Sequence, residues 1–156
     1  MMQIVPMAAQ HVQQVAQLET RCFSDPWSVR SIEAELENPL SFWLVALEGE
    51  TVLGYVGSQT VPPESDVMNL AVAPEWRRSG IALQLLLQLT QYLEKSGVES
   101  LSLEVRENNR PACSLYIKMG FVIVGRRPGY YRNPQEDALI MRKELRHADT
   151  VDRIFL

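Results

Sequence analysis

The chain has 156 residues, of which 46% are hydrophobic and 22% charged, and its formal net charge is −4. This length and composition predict one folded domain with its own core, and they exclude a wholly disordered chain. An acidic chain without a basic run is poorly suited to neutralising phosphates, so we expect no nucleic-acid partner.

The sequence also limits targeting and metal chemistry. Its first ten residues contain no basic region followed by a long apolar run, and no apolar stretch approaches the roughly 20 residues of a membrane helix. We therefore expect no signal peptide, no membrane partner and a cytoplasmic location. Cys22 and Cys113 are expected to be free thiols, and neither they nor the isolated His11 and His147 have a spacing suited to zinc. No metal is expected.

Apolar periodicity predicts two helices near the start. From Ala8 to Phe23, apolar residues recur at intervals of three and four, which indicates an amphipathic helix. Ser28 is interpreted as the N-cap of a second helix that reaches about Glu37, and Asn38-Pro39 ends it. The glutamates of this helix are interpreted as a solvated face, or as a site attracting a basic substrate: Glu33, Glu35 and Glu37.

The remaining pattern predicts three strands, a helix, a strand, a short helix and two strands. The strands are expected at 42–47, 51–59, 67–72, 100–105, 121–126 and 138–143, and the helices from Ile81 to a stop at Ser96-Gly97 and over 110–119. This order predicts an α/β fold with a mixed, twisted central sheet and helices on both faces.

The connection between the third predicted strand and the following helix is rich in arginine and contains a glycine. Between Val72 and Ala82, a strand joins a helix through a loop with two arginines and a glycine. The N–H groups at a helix start are unpaired and lie at a positive dipole end, and Gly80 leaves room for a phosphate beside that backbone. The segment is therefore either an anion site or an ordinary turn with solvated arginines.

These residues resemble a known family. Arg77-Arg78-Ser79-Gly80-Ile81-Ala82 is similar to the Arg/Gln-x-x-Gly-x-Gly/Ala loop of the GCN5-related N-acetyltransferases (GNAT). Asn109, Ala112, Leu115-Tyr116 and Gly120-Phe121 resemble that family's second signature. The resemblance covers roughly residues 3 to 144 and implies a GNAT domain over 1–145, leaving a tail at 146–156 with no assigned role.

Within the family, three segments resemble the bacterial ribosomal-protein-alanine N-acetyltransferases. They are Pro26-Trp27-Ser28, the Leu-Glu-Val-Arg of residues 103–106, and Arg126-Arg127 with the following Tyr130-Tyr131. The implied function is acetylation of a protein's N-terminal α-amine, in particular the N-terminal alanine of a small-subunit ribosomal protein, by direct attack in a ternary complex. Two alternatives remain open: acetylation of a small amine or a lysine side chain, and a non-catalytic acyl-CoA-binding module.

The resemblance also implies acetyl-CoA as co-substrate and assigns residues to it. Backbone donors of the third strand would bind the pantetheine and the thioester oxygen, the loop would bind the pyrophosphate, and Asn109 would bind pantetheine, cap its helix, or both. The residues assigned to the coenzyme are Leu70, Ala71, Val72, Arg77, Arg78, Ser79, Gly80, Ile81, Ala82, Leu83 and Asn109.

Two residues are candidates for catalysis. Glu104 is an acid in a strand, on the face opposite Leu103 and Val105, and its carboxylate is either paired with a cation such as Arg106 or functional. Tyr116 is either a tyrosine packed on the core or a general acid. The resemblance implies that Glu104 is the base and that Tyr116 protonates the departing thiolate.

The acceptor is assigned to aromatic residues. Trp27 and the pair Tyr130-Tyr131 occur in segments interpreted as loops, where partial burial is the ordinary alternative. The resemblance implies that both segments lie beside the incoming peptide.

Overall fold

The computed structural model describes residues 2–145. The tail assigned to 146–156, with His147, lies outside the described residues. The strands are β1 (Met2–Pro6), β2 (Ser41–Glu48), β3 (Thr51–Val61), β4 (Glu64–Val72), β5 (Ser100–Arg106), β6 (Val122–Tyr131) and β7 (Glu136–Glu144). The α-helices are α1 (Val12–Cys22), α2 (Val29–Glu37), α3 (Ile81–Lys95) and α4 (Arg110–Lys118), and short 3-10 turns occur at Ala9–His11 and Pro74–Trp76.

The strands form a seven-stranded sheet in the order β1-β2-β3-β4-β5-β7-β6. β4 and β5 pair in parallel through Glu64–Asp66 and Ser100–Ser102, whereas β1–β2, β2–β3, β5–β7 and β6–β7 pair antiparallel. The sheet is therefore mixed, and the expected α/β class is confirmed.

Two features of the sheet differ from the sequence prediction. β1 was not expected, and it pairs along its whole length with β2, from Met2 opposite Glu48 to Pro6 opposite Leu44. β6 continues to Tyr131, five residues beyond the predicted end of that strand at Arg126. Tyr130 and Tyr131 therefore belong to a strand, and their placement in a loop was wrong.

The described chain divides into two compact units. The first contains residues 2–60 and 68–91, and the second contains residues 61–67 and 92–145. The first unit has a buried cluster to which α1, α2 and strands β2 to β4 contribute. Its members are Met7, Val12, Val15, Ala16, Leu18, Ile32, Trp43, Val45, Val52, Tyr55, Ala71 and Ala73.

Helix α2 begins as its sequence predicts, because Ser28 Oγ accepts a hydrogen bond of 3.1 Å from the Ser31 N–H. Its glutamates are not equivalent. Glu33 and Glu37 are exposed, whereas Glu35 is buried and its carboxylate accepts a hydrogen bond of 3.0 Å from Trp43 Nε1. The interpretation of Glu35 as part of a solvated or substrate-attracting face was therefore wrong.

In the second unit, β5 follows the predicted alternation. Leu101, Leu103 and Val105 are buried, and Glu104 projects from the opposite face with partial exposure. β5 pairs with β7 along its length, with Glu104 opposite Ile140. Cys22 in the first unit and Cys113 in the second are free thiols, as expected.

Candidate active site

The loop before α3 combines exposed backbone with two left-handed residues. Residues 77–80 are exposed, and φ is 66° at Arg78 and 82° at Gly80. Successive N–H groups in a turn can form a concavity that binds anions, which is called a nest. A Cβ built on Gly80 would meet no atom within 4 Å, so the space beside this glycine is open.

Two side chains of this loop contact neighbouring protein atoms. Arg77 Nε donates to the Val72 carbonyl at 3.2 Å, and a terminal nitrogen of Arg77 lies 3.5 Å from Cys22 Sγ. Ser79 Oγ donates to the Trp76 carbonyl. These contacts fix the loop ahead of Ile81, Ala82 and Leu83, whose N–H groups open α3 and are the orphan donors of a helix start. The Arg77 guanidinium is therefore held by contacts within the first unit.

The end of β4 carries the three residues assigned to the thioester. Leu70 is partly exposed, whereas Ala71 and Val72 are buried. β3 approaches this segment closely, because a Cβ on Gly54 would lie 2.8 Å from the Ala71 carbonyl oxygen. Glycine at position 54 thus permits the backbone spacing that places Leu70–Val72.

In the second unit, Glu104 forms an ion pair with Arg127. Arg127 Nε contacts Glu104 Oε2, and the two side chains are 56% and 30% exposed, respectively. The same Oε2 atom is buried and accepts no hydrogen bond of standard geometry, so the contact is one of charge rather than a satisfied hydrogen bond. The Tyr130 hydroxyl also interacts with this carboxylate, which contributes to a raised pKa of Tyr130 after the larger effect of burial.

The cation beside Glu104 differs from the one named in the sequence analysis. Arg106 instead contacts Glu136, at 3.2 Å. The adjacent Arg126 contacts Glu107 at 2.5 Å and Asp137 at 3.3 Å. Neighbouring arginines on β6 therefore serve different carboxylates, as the alternation of side chains along a strand requires.

Tyr116 lies on α4 and is 7% exposed. Its ring packs edge-on against Phe121 with centroids 5.6 Å apart. Burial raises the pKa of the Tyr116 hydroxyl well above its ordinary value, and the nearby Tyr131 and Cys113 raise it further. The hydroxyl is consequently protonated throughout the neutral range, as a general acid must be before it acts.

Asn109 caps the helix that carries Tyr116. Its Oδ1 accepts a hydrogen bond of 3.2 Å from the Ala112 N–H, so the predicted capping is confirmed. Asn109 itself is exposed.

The two tyrosines of β6 form an edge-on pair with centroids 5.0 Å apart. Arg106 lies over the Tyr131 ring at 4.4 Å and donates to the carbonyls of Arg132, at 3.0 Å, and Pro134, at 2.9 Å. Burial and the charge of Glu104 raise the pKa of Tyr131 to about 12. Within the second unit, Tyr130 and Tyr131 therefore both lie near the Glu104 carboxylate.

Trp27 lies in the connection between α1 and α2, as predicted, and is half-buried. Its ring packs edge-on against Trp43 at 5.4 Å, and its N–H donates to Glu19 Oε1 at 2.9 Å. The ordinary alternative of partial burial is thus correct for this side chain.

The sequence analysis missed Glu19. Its side chain is fully buried on α1 and contacts Trp27, Tyr55 and Asn69. The signal was present: Glu19 follows Val15 and Ala16 by four and three residues, so it occupies the apolar face of an amphipathic helix.

Within residues 2–145, no three His, Cys, Asp or Glu side chains come close enough to hold a metal ion. In the same range, no helix has the length and apolar content needed to cross a membrane.

The chain belongs to the acetyltransferase (GNAT) family, whose model matches residues 12–121. It is 36% identical to the N-alpha-acetyltransferase RimI of Mycobacterium tuberculosis over 138 residues, which cover 85% of each chain. It is 35% identical to the ribosomal protein bS18-alanine N-acetyltransferase of Escherichia coli K12, over 80% of this chain and 84% of that protein.

Solved structures agree with this assignment. The crystal structure of the ribosomal-protein-S18-alanine N-acetyltransferase from Escherichia coli superposes with a TM-score of 0.86 at 29% identity, covering 93% of this chain and 94% of that one. Arabidopsis thaliana NAA60 in complex with acetyl-CoA gives a TM-score of 0.83 over 92% of this chain and 98% of that one. At 18% identity, NAA60 shares the fold alone.

Proposed function

We propose that this protein transfers the acetyl group of acetyl-CoA to the N-terminal α-amine of a protein, and that its acceptor is the N-terminal alanine of ribosomal protein bS18. The observation that carries the proposal is the identity of 35 to 36% with enzymes named for this chemistry, over 80 to 85% of the chain. We propose the cytoplasm as its location.

The loop geometry supports the coenzyme assignment. Arg78 and Gly80 in the left-handed region, with the open space beside Gly80, suit a pyrophosphate at the start of α3. The proposed contacts are the backbone N–H groups of residues 78–83 with the Arg77 and Arg78 guanidinium groups nearby. The proposed donors to pantetheine and to the thioester oxygen are the N–H groups at Leu70–Val72, and Asn109 is assigned to pantetheine.

The proposed reaction is direct attack of the amine nitrogen on the thioester carbonyl carbon. Glu104 takes a proton from the amine, directly or through one water, and the developing oxyanion is stabilised by backbone N–H donors. The C–S bond then breaks, and the coenzyme A thiolate receives the proton of Tyr116. An α-amine has a pKa near 8, about 2 units below that of lysine, so a carboxylate base suffices.

The acceptor is assigned to Trp27, Tyr130 and Tyr131. The close interaction of Glu104 with Tyr130 supports this assignment, because an amine held beside Tyr130 would reach the proposed base. On binding, the substrate's ammonium group would displace the Arg127 side chain from Glu104. The Glu104 carboxylate would then remain paired with a cation until it takes the proton.

The test measures thiol release from acetyl-CoA and the mass of the acceptor. One peptide copies the alanine-starting N-terminus of bS18 from the same source and contains an internal lysine. Its matched control is the same lysine-containing peptide with a blocked N-terminus. We expect turnover of the free peptide alone. Turnover of the blocked peptide would indicate lysine acetylation. Coenzyme binding without turnover on these peptides or on a panel of small amines would indicate a binding module.

A further inference from the structure

Glu19 is a buried acid that the proposed chemistry does not use. It lies on α1 with an exposed fraction of 0%. Burial raises its pKa, and three donors oppose that effect: the Trp27 N–H, the Tyr55 hydroxyl and the Asn69 amide. Removing a carboxylate from water is costly, and an apolar side chain at this position would pack without that cost. Core stability alone therefore does not account for an acid here.

The two carboxylate oxygens have different partners. Oε1 accepts the Trp27 N–H at 2.9 Å. Oε2 accepts both the Tyr55 hydroxyl of β3 and, at 2.5 Å, the Asn69 amide of β4. One oxygen thus fixes the connection between α1 and α2, and the other fixes the carboxylate to two strands.

Two partners of Glu19, Trp27 and Asn69, belong to segments with a proposed role in binding. Trp27 is the proposed acceptor contact, and Asn69 immediately precedes Leu70–Val72, the proposed thioester donors. All of these residues belong to the first unit. The Glu19 carboxylate is therefore a rigid link between the segment that would meet the peptide and the strand that would meet the acetyl group.

We propose that Glu19 is a positioning residue for the acceptor, which holds the Trp27 backbone at a fixed place relative to β4 and so sets the affinity for the N-terminal residue of the peptide. This inference rests on the proposed function, since it assumes that the Trp27 segment contacts the acceptor.

The two oxygens permit a matched pair of substitutions. Glu19→Leu removes both acceptor oxygens, so the hydrogen bond from the Trp27 N–H is lost together with those on the strand side. Tyr55→Phe removes a hydrogen bond on the strand side only and leaves the bond to Trp27 in place.

We expect Glu19→Leu to raise KM for the peptide roughly fivefold to tenfold, because the released Trp27 segment must then be ordered when the peptide binds. The KM for acetyl-CoA and the kcat at saturating peptide should stay within about twofold. Tyr55→Phe should leave the peptide KM within twofold, although it lowers the thermal midpoint. Equal changes of peptide KM in the two variants, or a proportional change of every kinetic constant in Glu19→Leu, would overturn the inference.

A second measurement does not depend on the acceptor. Hydrogen exchange of the Trp27 amide should accelerate at least tenfold in Glu19→Leu and remain near the wild-type rate in Tyr55→Phe. Unchanged exchange in Glu19→Leu would refute the positioning role even if the protein proves to use another acceptor. Accelerated exchange together with a wild-type protein that ignores the peptide would instead refute the proposed function and leave the link between Glu19 and the Trp27 segment standing.

Discussion

Replacing Tyr116 by phenylalanine tests the proposed general acid with little structural disturbance. The substitution deletes one oxygen and retains the ring, which is 7% exposed and packs against Phe121 at 5.6 Å. The structure assigns this hydroxyl no part in a helix cap or an ion pair. We therefore expect the free energy of unfolding to change by less than about 1 kcal/mol.

The expected kinetic effect is large by comparison. A positioned general acid contributes roughly 10²- to 10⁴-fold to the rate. At about 1.4 kcal/mol for each factor of ten, this loss corresponds to about 3–6 kcal/mol of transition-state stabilisation. Tyr116→Phe should thus lower kcat by two to four orders of magnitude and leave the Kd of acetyl-CoA unchanged. The matched control is Tyr92→Phe, at a tyrosine that is 45% exposed, and it should retain wild-type kcat.

The pH dependence supplies an independent check. Because burial raises the pKa of the Tyr116 hydroxyl, the proton stays bound at pH values where a free phenol, with a pKa of about 10, would lose it. The kcat of the wild-type protein should therefore hold on the alkaline side to at least about pH 10. Thiol release measured from pH 6 to pH 10 follows this limb. A Tyr116→Phe variant with kcat within threefold of wild type, or an alkaline loss of activity centred below about pH 9, would refute the assignment.

Three further substitutions, one of them with a matched control, test the site and the core. Glu104→Gln should lower kcat at least about 100-fold, because the amide cannot accept the proton, and a defect confined to coenzyme binding in a titration would contradict this role. Gly80→Ala should raise the KM of acetyl-CoA severalfold. The matched control is Gly97→Ala, because Gly97 also has a positive φ and open surroundings. Both variants should lose about 1–2 kcal/mol of stability, but Gly97→Ala should leave the KM of acetyl-CoA unchanged. Gly57→Ala should lower stability by about 1–3 kcal/mol in chemical denaturation, since its Cβ would overlap the Trp43 ring, and an unchanged midpoint would refute this close approach.

Local signals in the sequence predicted much of the fold. The apolar periodicity of α1, the Ser28 cap and the Ser96-Gly97 stop after α3 each depend on residues a few positions apart. The prediction missed β1, whose five residues gain their order from pairing with β2, about 40 positions away in the chain. The predicted β6 ended before Pro128-Gly129, whereas in the structure Asp137 Oδ1 accepts the Gly129 N–H at 2.8 Å and supports the hairpin there.

In the candidate site too, features set by local sequence were predicted and contacts between distant elements were missed. The loop at 77–80 and the capping by Asn109 follow from spacing and local chemistry. The partner of Glu104 did not, because Arg127 reaches it from another strand, and the burial of Glu35 depends on Trp43 and Gln59. Each missed contact joins side chains from different elements, and no short-range pattern reports such contacts.

The alternating arginines of β6 limit how this segment can evolve. Arg126 and Arg127 contact carboxylates on different sides. Inserting one residue upstream in β6 would place Gly125 where Arg126 lies and remove the guanidinium from Glu107, whereas deleting one would place Pro128 where Arg127 lies and remove it from Glu104. The preceding Val122, Ile123 and Val124 are more than half exposed, and their side chains are free to vary. Among natural relatives, we therefore expect substitutions at 122–124 to be frequent and changes of length there to be rare.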